Sequence, residues 1–493
     1  MRLSTAPQSF LKVLRRKSSW VTRKEGTPNA RRPDVNRGED ICGVALSGRT
    51  QEDLLAAKLS WVVALILVLL PFHAFLTVWL ASATGHYILL RLWKECLLLI
   101  LMAGVGYLLI KDRSLRQKFL GSRLIQLIIL YLLLTIAGGA IAYGLHKVTA
   151  KALGYGLIVN LRFLTFFLVN WAITAKSPKL KQWWPKLLLF PAALVILVGL
   201  IQRLALPYDV LKHFGYSERT IFPYETINHN IHYPRIMSTL RGANPLGAYL
   251  ILIMVALSTL WIKFKRYRLA TGVFWLAAFV VLIFSYSRAA WLGLLAGLAL
   301  LVWLWTTDRQ SKRLFGRAVA LLVIMAAVLA LALRHNPGFE NAFLHTQNRS
   351  GARTSSNQSH VSAFRKGVHD ALHEPVGRGV GTAGPASVYN NGKVRVAENY
   401  FIQIAQELGW IGLALFIAIN YLVAYELWQR RNVTLALALL TSLLGLTIVN
   451  LFSHAWTDDT LAYVWWGLAG LACAPVILNG RHKQDGQNQK EKS

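Results

Sequence analysis

The sequence predicts an all-α polytopic membrane protein of about twelve transmembrane helices, with a large outer loop between the ninth and tenth. Three observations carry this expectation. Of 493 residues, 55% are hydrophobic and only 15% charged. Apolar runs recur at roughly 17–25 residues, the length that takes a helix across a ~30 Å hydrocarbon core, and the alternating segments of about ten residues that mark a membrane barrel are absent. Lysine and arginine gather in every second connection, as they do on the cytoplasmic side of helical membrane proteins.

Residues 1–57 are basic and rich in Ser, Pro and Gly, with clusters at Arg15, Arg16 and Lys17 and at Arg31 and Arg32. They read as a disordered cytoplasmic tail that orients the first helix, with binding to anionic headgroups as the alternative. The first apolar run starts near Leu59, so no signal peptide is expected. Spans follow at about 59–81, 88–110, 119–142, 154–175, 187–203, 245–262, 271–286, 289–306, 318–333, 400–426, 434–453 and 461–478. Residues 58–333 thus hold nine spans, 334–399 a large extracytoplasmic loop, 400–478 three more spans, and 479–493 a cytoplasmic tail.

The charge distribution fits that threading. From a cytoplasmic start, the inner connections at 111–118, 176–186, 263–268, 309–317 and 430–431, and the tail from Arg481, are all basic. The outer turns near 82–87 and 454–460 carry no Lys or Arg. Both termini are therefore expected in the cytoplasm, in a multi-pass protein of the cytoplasmic membrane. The net charge of +32 has this source, and a nucleic-acid partner is not expected. Cys42, Cys96 and Cys473 fall in the tail or in expected helices, so no structural disulfide is expected. No Cys/His cluster has zinc-ligand spacing, and no Asp-x-Asp pair lies in an outer loop, so neither metal nor cofactor is expected. No internal repeat of the transporter kind is visible.

Two outer segments, about 204–244 and 334–399, are too long to be simple connectors, and long loops of compact proteins usually carry function or are disordered. The second holds Arg349, Arg353, Arg365, Arg378 and Arg395 and the glycines Gly377, Gly379 and Gly381. Arg235 and Arg241 stand at the mouth of the sixth span, and Arg288 in the short turn between the seventh and eighth. Guanidinium forks bind phosphate oxygens bidentately, so arginines converging on one face suit a diphosphate on a membrane lipid. Pairing with carboxylates, carbonyls or headgroups is the structural alternative for each. Arg162 lies mid-span and is a substrate-binding candidate, or a structural pair with Asn160 or Asn170. Glu398, beside Asn399 and Tyr400, reads as a general base for a hydroxyl nucleophile or as a helix cap. Glu407 reads as structural. The outer histidines His213, His229, His232, His360, His369, His373 and His454 are numerous enough that chance placement covers most, though His454, Asp458 and Asp459 could reach the same chamber.

At these residues the chain resembles the O-antigen ligase and polysaccharide polymerase superfamily of bacterial membrane glycosyltransferases. The resemblance rests on the twelve-span arrangement and on the motif from Arg365 through Pro375, Gly377, Gly379 and Gly381 to Asn399, Tyr400, Glu407, Gly409 and Gly412. Arg241, Asn244 and Pro245, and Ser287 with Arg288, are similar to earlier family blocks. It implies metal-independent, inverting transfer of a glycan from an undecaprenyl-diphosphate carrier to an acceptor hydroxyl on a glycan, lipid or protein. Arg241, Arg288 and Arg365 would hold the diphosphate, with Arg235, Asn244, Asn399 and Tyr400 completing the substrate site and Glu398 as base. Typical ligases carry a histidine eleven residues before the glycine equivalent to Gly409, where this chain has Glu398. Lipopolysaccharide ligation and repeat-unit polymerisation therefore stay equally open. A lipid-linked glycan flippase and a non-catalytic scaffold are the readings from other classes.

Overall fold

A computed structural model describes residues 50–227, 230–333, 356–392 and 394–477, together with Asn336. Residues 1–49 and the tail from 479, with Cys42, His229, Arg349 and Arg353, lie outside the described residues, whereas residues 51–57 of the expected N-terminal tail already belong to the first helix. Helix α1 (Gln51–Leu69) opens on a reciprocal cap, in which Thr50 accepts from the Asp53 N–H and Asp53 from the Thr50 N–H. A turn at Leu70–Phe72, set by Pro71, joins it to α2 (His73–Thr84). Then come α3 (Tyr87–Arg91), α4 (Trp93–Lys111), α5 (Arg113–Leu120), α6 (Arg123–Gly144), α7 (Ala150–Lys176) and α8 (Lys179–Leu204). The first long outer segment forms an antiparallel hairpin, β1 (Glu225–Ile227) with β2 (Asn230–Arg235). After it run α9 (Ala243–Lys263), α10 (Arg268–Ser285), α11 (Arg288–Trp305) and α12 (Arg309–Ala332). The second long segment contains α13 (Ser356–His373), and α14 (Tyr400–Gln429), α15 (Thr434–Phe452) and α16 (Asp459–Cys473) complete the bundle.

The chain is an all-α polytopic membrane protein. Among the described residues ten stretches are long and apolar enough to cross a membrane, and each coincides with an expected span. The other two expected spans also fall on helices. The 318–333 run lies in α12, and the 461–478 run lies mostly in α16.

The 15 residues of α16 are all buried, which explains a short helix that is apolar on every side. It is the axis of the core rather than a lipid-facing span. Trp456, Trp465 and Trp466 pack edge-on and tilted about its start, and Phe163 and Phe416 meet Trp466 from α7 and α14. Small residues let α7 approach closely, since a Cβ on Gly470 would stand 2.5 Å from the Phe167 carbonyl oxygen. Helices α11 and α15 pack the same way through Gly293 and Gly445.

Helix α14 is broken at Gly409, whose φ of 67° and ψ of −168° lie in a region only glycine occupies readily. The break is filled by the segment before the helix. The Trp410 N–H donates to the Pro375 carbonyl at 2.9 Å, and the Arg378 and Gly379 N–H groups donate to the Gln406 and Glu407 carbonyls, also at 2.9 Å. The glycine run is therefore a clasp on α14, and Gly377, Gly379 and Gly381 all take positive φ to make it.

Gly409→Ala would add backbone strain of about 1–3 kcal/mol and a Cβ 2.2 Å from the Pro375 oxygen. A clear fall in thermal stability of the purified protein is expected, whereas Gly106→Ala, where the space is open, should leave it unchanged or raise it.

Candidate active site

A cavity of about 730 Å³ opens at the end of the bundle where α9 and α14 begin, α10 turns into α11, and α15 ends. Arg235, Asn244, Arg288, Arg365, His360 and Glu398 form its polar wall. Leu292, Val361, Phe364, Val449, Leu451 and Phe452 form an apolar one. Five separate chain segments contribute, so the tertiary fold alone brings the polar groups together.

Arg235 ends β2 and is braced on three sides. Its Nε donates to the Ser285 carbonyl at 2.9 Å, one Nη donates to Asn244 Oδ1 at 2.6 Å, and the other pairs with Glu225 at 3.2 Å. Burial pushes the Arg235 guanidinium down from its usual pKa, and Glu225 opposes that shift. The Glu225 carboxylate also accepts from the Ala243 N–H at 3.2 Å, which ties the hairpin to the start of α9.

Arg288 opens α11 directly after a two-residue turn from α10. Tyr286 in that turn has a φ of 50°, a strained left-handed conformation for a bulky side chain. Glu398 has a φ of 54°, so two strained backbone positions line one cavity. Glu398 is not the cap of α14. Asn399 takes that role, accepting from the Ile402 N–H at 3.0 Å while its own amide donates to the Leu451 carbonyl at 2.9 Å. The Tyr400 N–H donates to the Ser453 carbonyl at 3.1 Å, stitching α14 to the end of α15. The Glu398 carboxylate is left turned to the cavity, with Oε2 3.5 Å from His360 Nδ1.

Helix α13 carries His360 and Arg365 over the cavity, and its far end is clamped. Buried Arg395 pairs with Asp370 at 3.0 Å and Glu374 at 2.8 Å. The Gln406 amide donates to Asp370 at 3.0 Å, and Trp410 Nε1 donates to the Ala371 carbonyl at 3.1 Å. Glu407, buried in α14, accepts from the Gly381 N–H at 2.8 Å and from Asn160 Nδ2 at 2.9 Å. It holds the clasp rather than facing the cavity.

Four of the candidate residues stand elsewhere. Asn399 is the helix cap just described. Tyr400 is fully buried, with its ring against Phe416 in the core. Arg241 is exposed and does not line the cavity, although its charge acts on His454 and Asp458 behind it. Burial lowers the His454 pKa, with Glu398 opposing and Arg241 and His360 reinforcing the shift. Arg162 pairs with Asp459 rather than with Asn160 or Asn170. It also donates to the Thr457 carbonyl at 2.6 Å and lies 3.8 Å from Glu95. Lys94 and His73 reach the same Asp459 carboxylate at 3.0 and 3.2 Å. This buried network joins α2, α4, α7 and α16. Asp459 therefore serves the core, and only carboxylates this well surrounded are stable as ions there.

The family model described as O-antigen ligase matches residues 272–417. The resemblance to the O-antigen ligase superfamily is borne out. The matched stretch contains Arg288, Arg365 and Glu398 with the glycine clasp, whereas Arg235, Arg241 and Asn244 precede it. No curated protein matches the chain. At this site sequence reading missed Glu225 and left His360 among the histidines assigned to chance placement. Glu225 had no sequence signal, because its partner Arg235 is met through the hairpin. The signal for His360 was its four-residue spacing from Phe364, which puts the two on one face of the helix that also carries Arg365. Among the described residues no group of three His, Cys, Asp or Glu side chains is placed to hold a metal ion.

Removing one member of a buried ion network leaves its partners uncompensated, at a cost of about 3–5 kcal/mol. Arg162→Leu and Asp459→Asn are each expected to lower unfolding stability by that order. The double variant should be less destabilised than the sum of the two, as a double-mutant cycle of denaturant unfolding would measure.

Proposed function

We propose that the protein is an O-antigen ligase-like membrane glycosyltransferase. It transfers a glycan from an undecaprenyl-diphosphate carrier to an acceptor hydroxyl on the outer face of the cytoplasmic membrane. The acceptor is lipid A–core in a ligase and a growing repeat-unit chain in a polymerase of the same superfamily. The observation that carries this reading is the single cavity in which Arg235, Arg288 and Arg365 face Glu398 across a space with one apolar wall. Cationic forks suit the diphosphate, the apolar side suits the first prenyl units, and the carboxylate suits a hydroxyl. The basic connections at the opposite end of the bundle support an outward-facing cavity and cytoplasmic termini.

In the reaction the acceptor oxygen attacks the anomeric carbon as the sugar–phosphate bond breaks, and negative charge grows on the leaving diphosphate. Arg288 and Arg365 stabilise that growing charge more than they stabilise the bound donor, which accelerates the step without a metal. Arg235 is already braced by Glu225 and Asn244, so it offers a fixed positive edge rather than a mobile clamp. Glu398 takes the hydroxyl proton, and attack from the face opposite the leaving group inverts the anomeric centre. The strained backbone at Glu398 and Tyr286 fits a site whose groups are held in place before substrate arrives.

Arg288→Ala is expected to lower transfer about 100- to 1000-fold, and Glu398→Gln about 100- to 10,000-fold. In cells lacking the native gene, both should abolish finished surface glycan while carrier-linked glycan accumulates on the outer face. Accumulation on the inner face would indicate a flippase. Normal surface glycan in both variants would sink the assignment.

A further inference from the structure

We propose that His360 is the proton acceptor for Glu398, receiving the proton that each transfer leaves on the carboxylate and passing it to water. The inference rests on the proposed transfer reaction, in which Glu398 is the base. Atom balance leaves a proton to be disposed of after each transfer. The acceptor O–H bond breaks, its oxygen bonds to the anomeric carbon, and the sugar–phosphate bond breaks with its electron pair going to the diphosphate. One proton remains on Glu398, which must lose it before the next acceptor can be activated. A diphosphate held by guanidinium groups is a poor destination, because those cations lower its basicity.

Among the described residues the geometry offers a nearby route. His360 Nδ1 is 3.5 Å from Glu398 Oε2, both residues line the cavity, and the histidine side chain is 41% exposed. The Glu398 side chain is 35% exposed, so His360 adds an imidazole route beside direct loss of the proton to water. Imidazole both takes and releases a proton close to neutral pH, which a carboxylate or guanidinium does not. The charged and titratable groups around it are consistent with that role. Arg365 follows it on α13, Arg288 and Arg235 line the same cavity, and the charges of Glu398, Arg241 and His360 all act on His454. Helix α13 has the rigidity a short proton transfer needs, since Arg395, Gln406 and Trp410 clamp its other end.

The full-length protein in lipid nanodiscs would be labelled with diethyl pyrocarbonate across a pH series, and modification at His360 read by mass spectrometry. Glu398→Gln removes the charge that faces Nδ1, so the labelling profile of His360 should differ from that of the wild type. An unchanged profile would overturn the inference, and this arm needs no change at His360. The second arm uses membranes from cells that accumulate their own carrier-linked glycan. His360→Ala should slow product formation about tenfold or more, and added imidazole should restore much of it. A rate equal to wild type, or a loss that imidazole does not relieve, would overturn the role. The outcomes separate the two levels. Normal transfer by Glu398→Gln removes the proposed reaction itself, whereas an inactive Glu398→Gln beside a fully active His360→Ala removes the relay alone.

Discussion

The site depends on one interruption of a helix. If α14 ran unbroken through residue 409, the backbone groups of Pro375, Arg378 and Gly379 would have no partners on it, and the segment from α13 would have nothing to hold. Gly409 opens the ladder, the glycine run closes it again, and Glu407 locks the closure through the Gly381 N–H and Asn160. Irregular backbone survives in a membrane protein only where its polar groups are satisfied by the protein itself. Here they are, and the arrangement fixes both the start of α14, with Glu398, and the clamped end of α13.

Electrostatics divide the polar residues into two populations that look alike in the sequence. The first is the network of Asp459 and Glu95 with His73, Lys94 and Arg162, enclosed by apolar helices and close to charge balance. Such a network specifies how α2, α4, α7 and α16 meet more than it adds stability, because desolvation offsets much of the attraction. The second population faces the cavity, where three arginines outnumber Glu398 and Glu225, the latter paired with Arg235. An excess of positive charge in a water-accessible space is poorly suited to structure and well suited to a polyanionic ligand.

Much of this was legible from the order of residues. The spans were read from apolar length, and ten of them reappear as helices suited to cross a membrane. Arg235, Asn244, Arg288, Arg365 and Glu398 were chosen as candidates and do share one cavity. Arg162 illustrates the limit. A cation in mid-span is equally conspicuous whether it meets a substrate or a carboxylate, and its partner Asp459 lies 297 residues away in the chain. Tyr400 and Asn399 illustrate another, since residues adjacent to a functional group in sequence point to different sides once a helix begins.

The sequence by itself determined the fold class, because lipid admits no spanning backbone other than one that satisfies its own hydrogen bonds, and apolar length counts the crossings. It also determined which residue types were available at the outer-end loops. Only the tertiary structure decided which of them face one another. The approach of His360 to Glu398, the bracing of Arg235 by Glu225 and the capture of Arg162 by Asp459 are contacts between distant segments. Local propensity carries no information about them. They follow from how helices with small residues at their interfaces pack, and from a single glycine that lets one helix break.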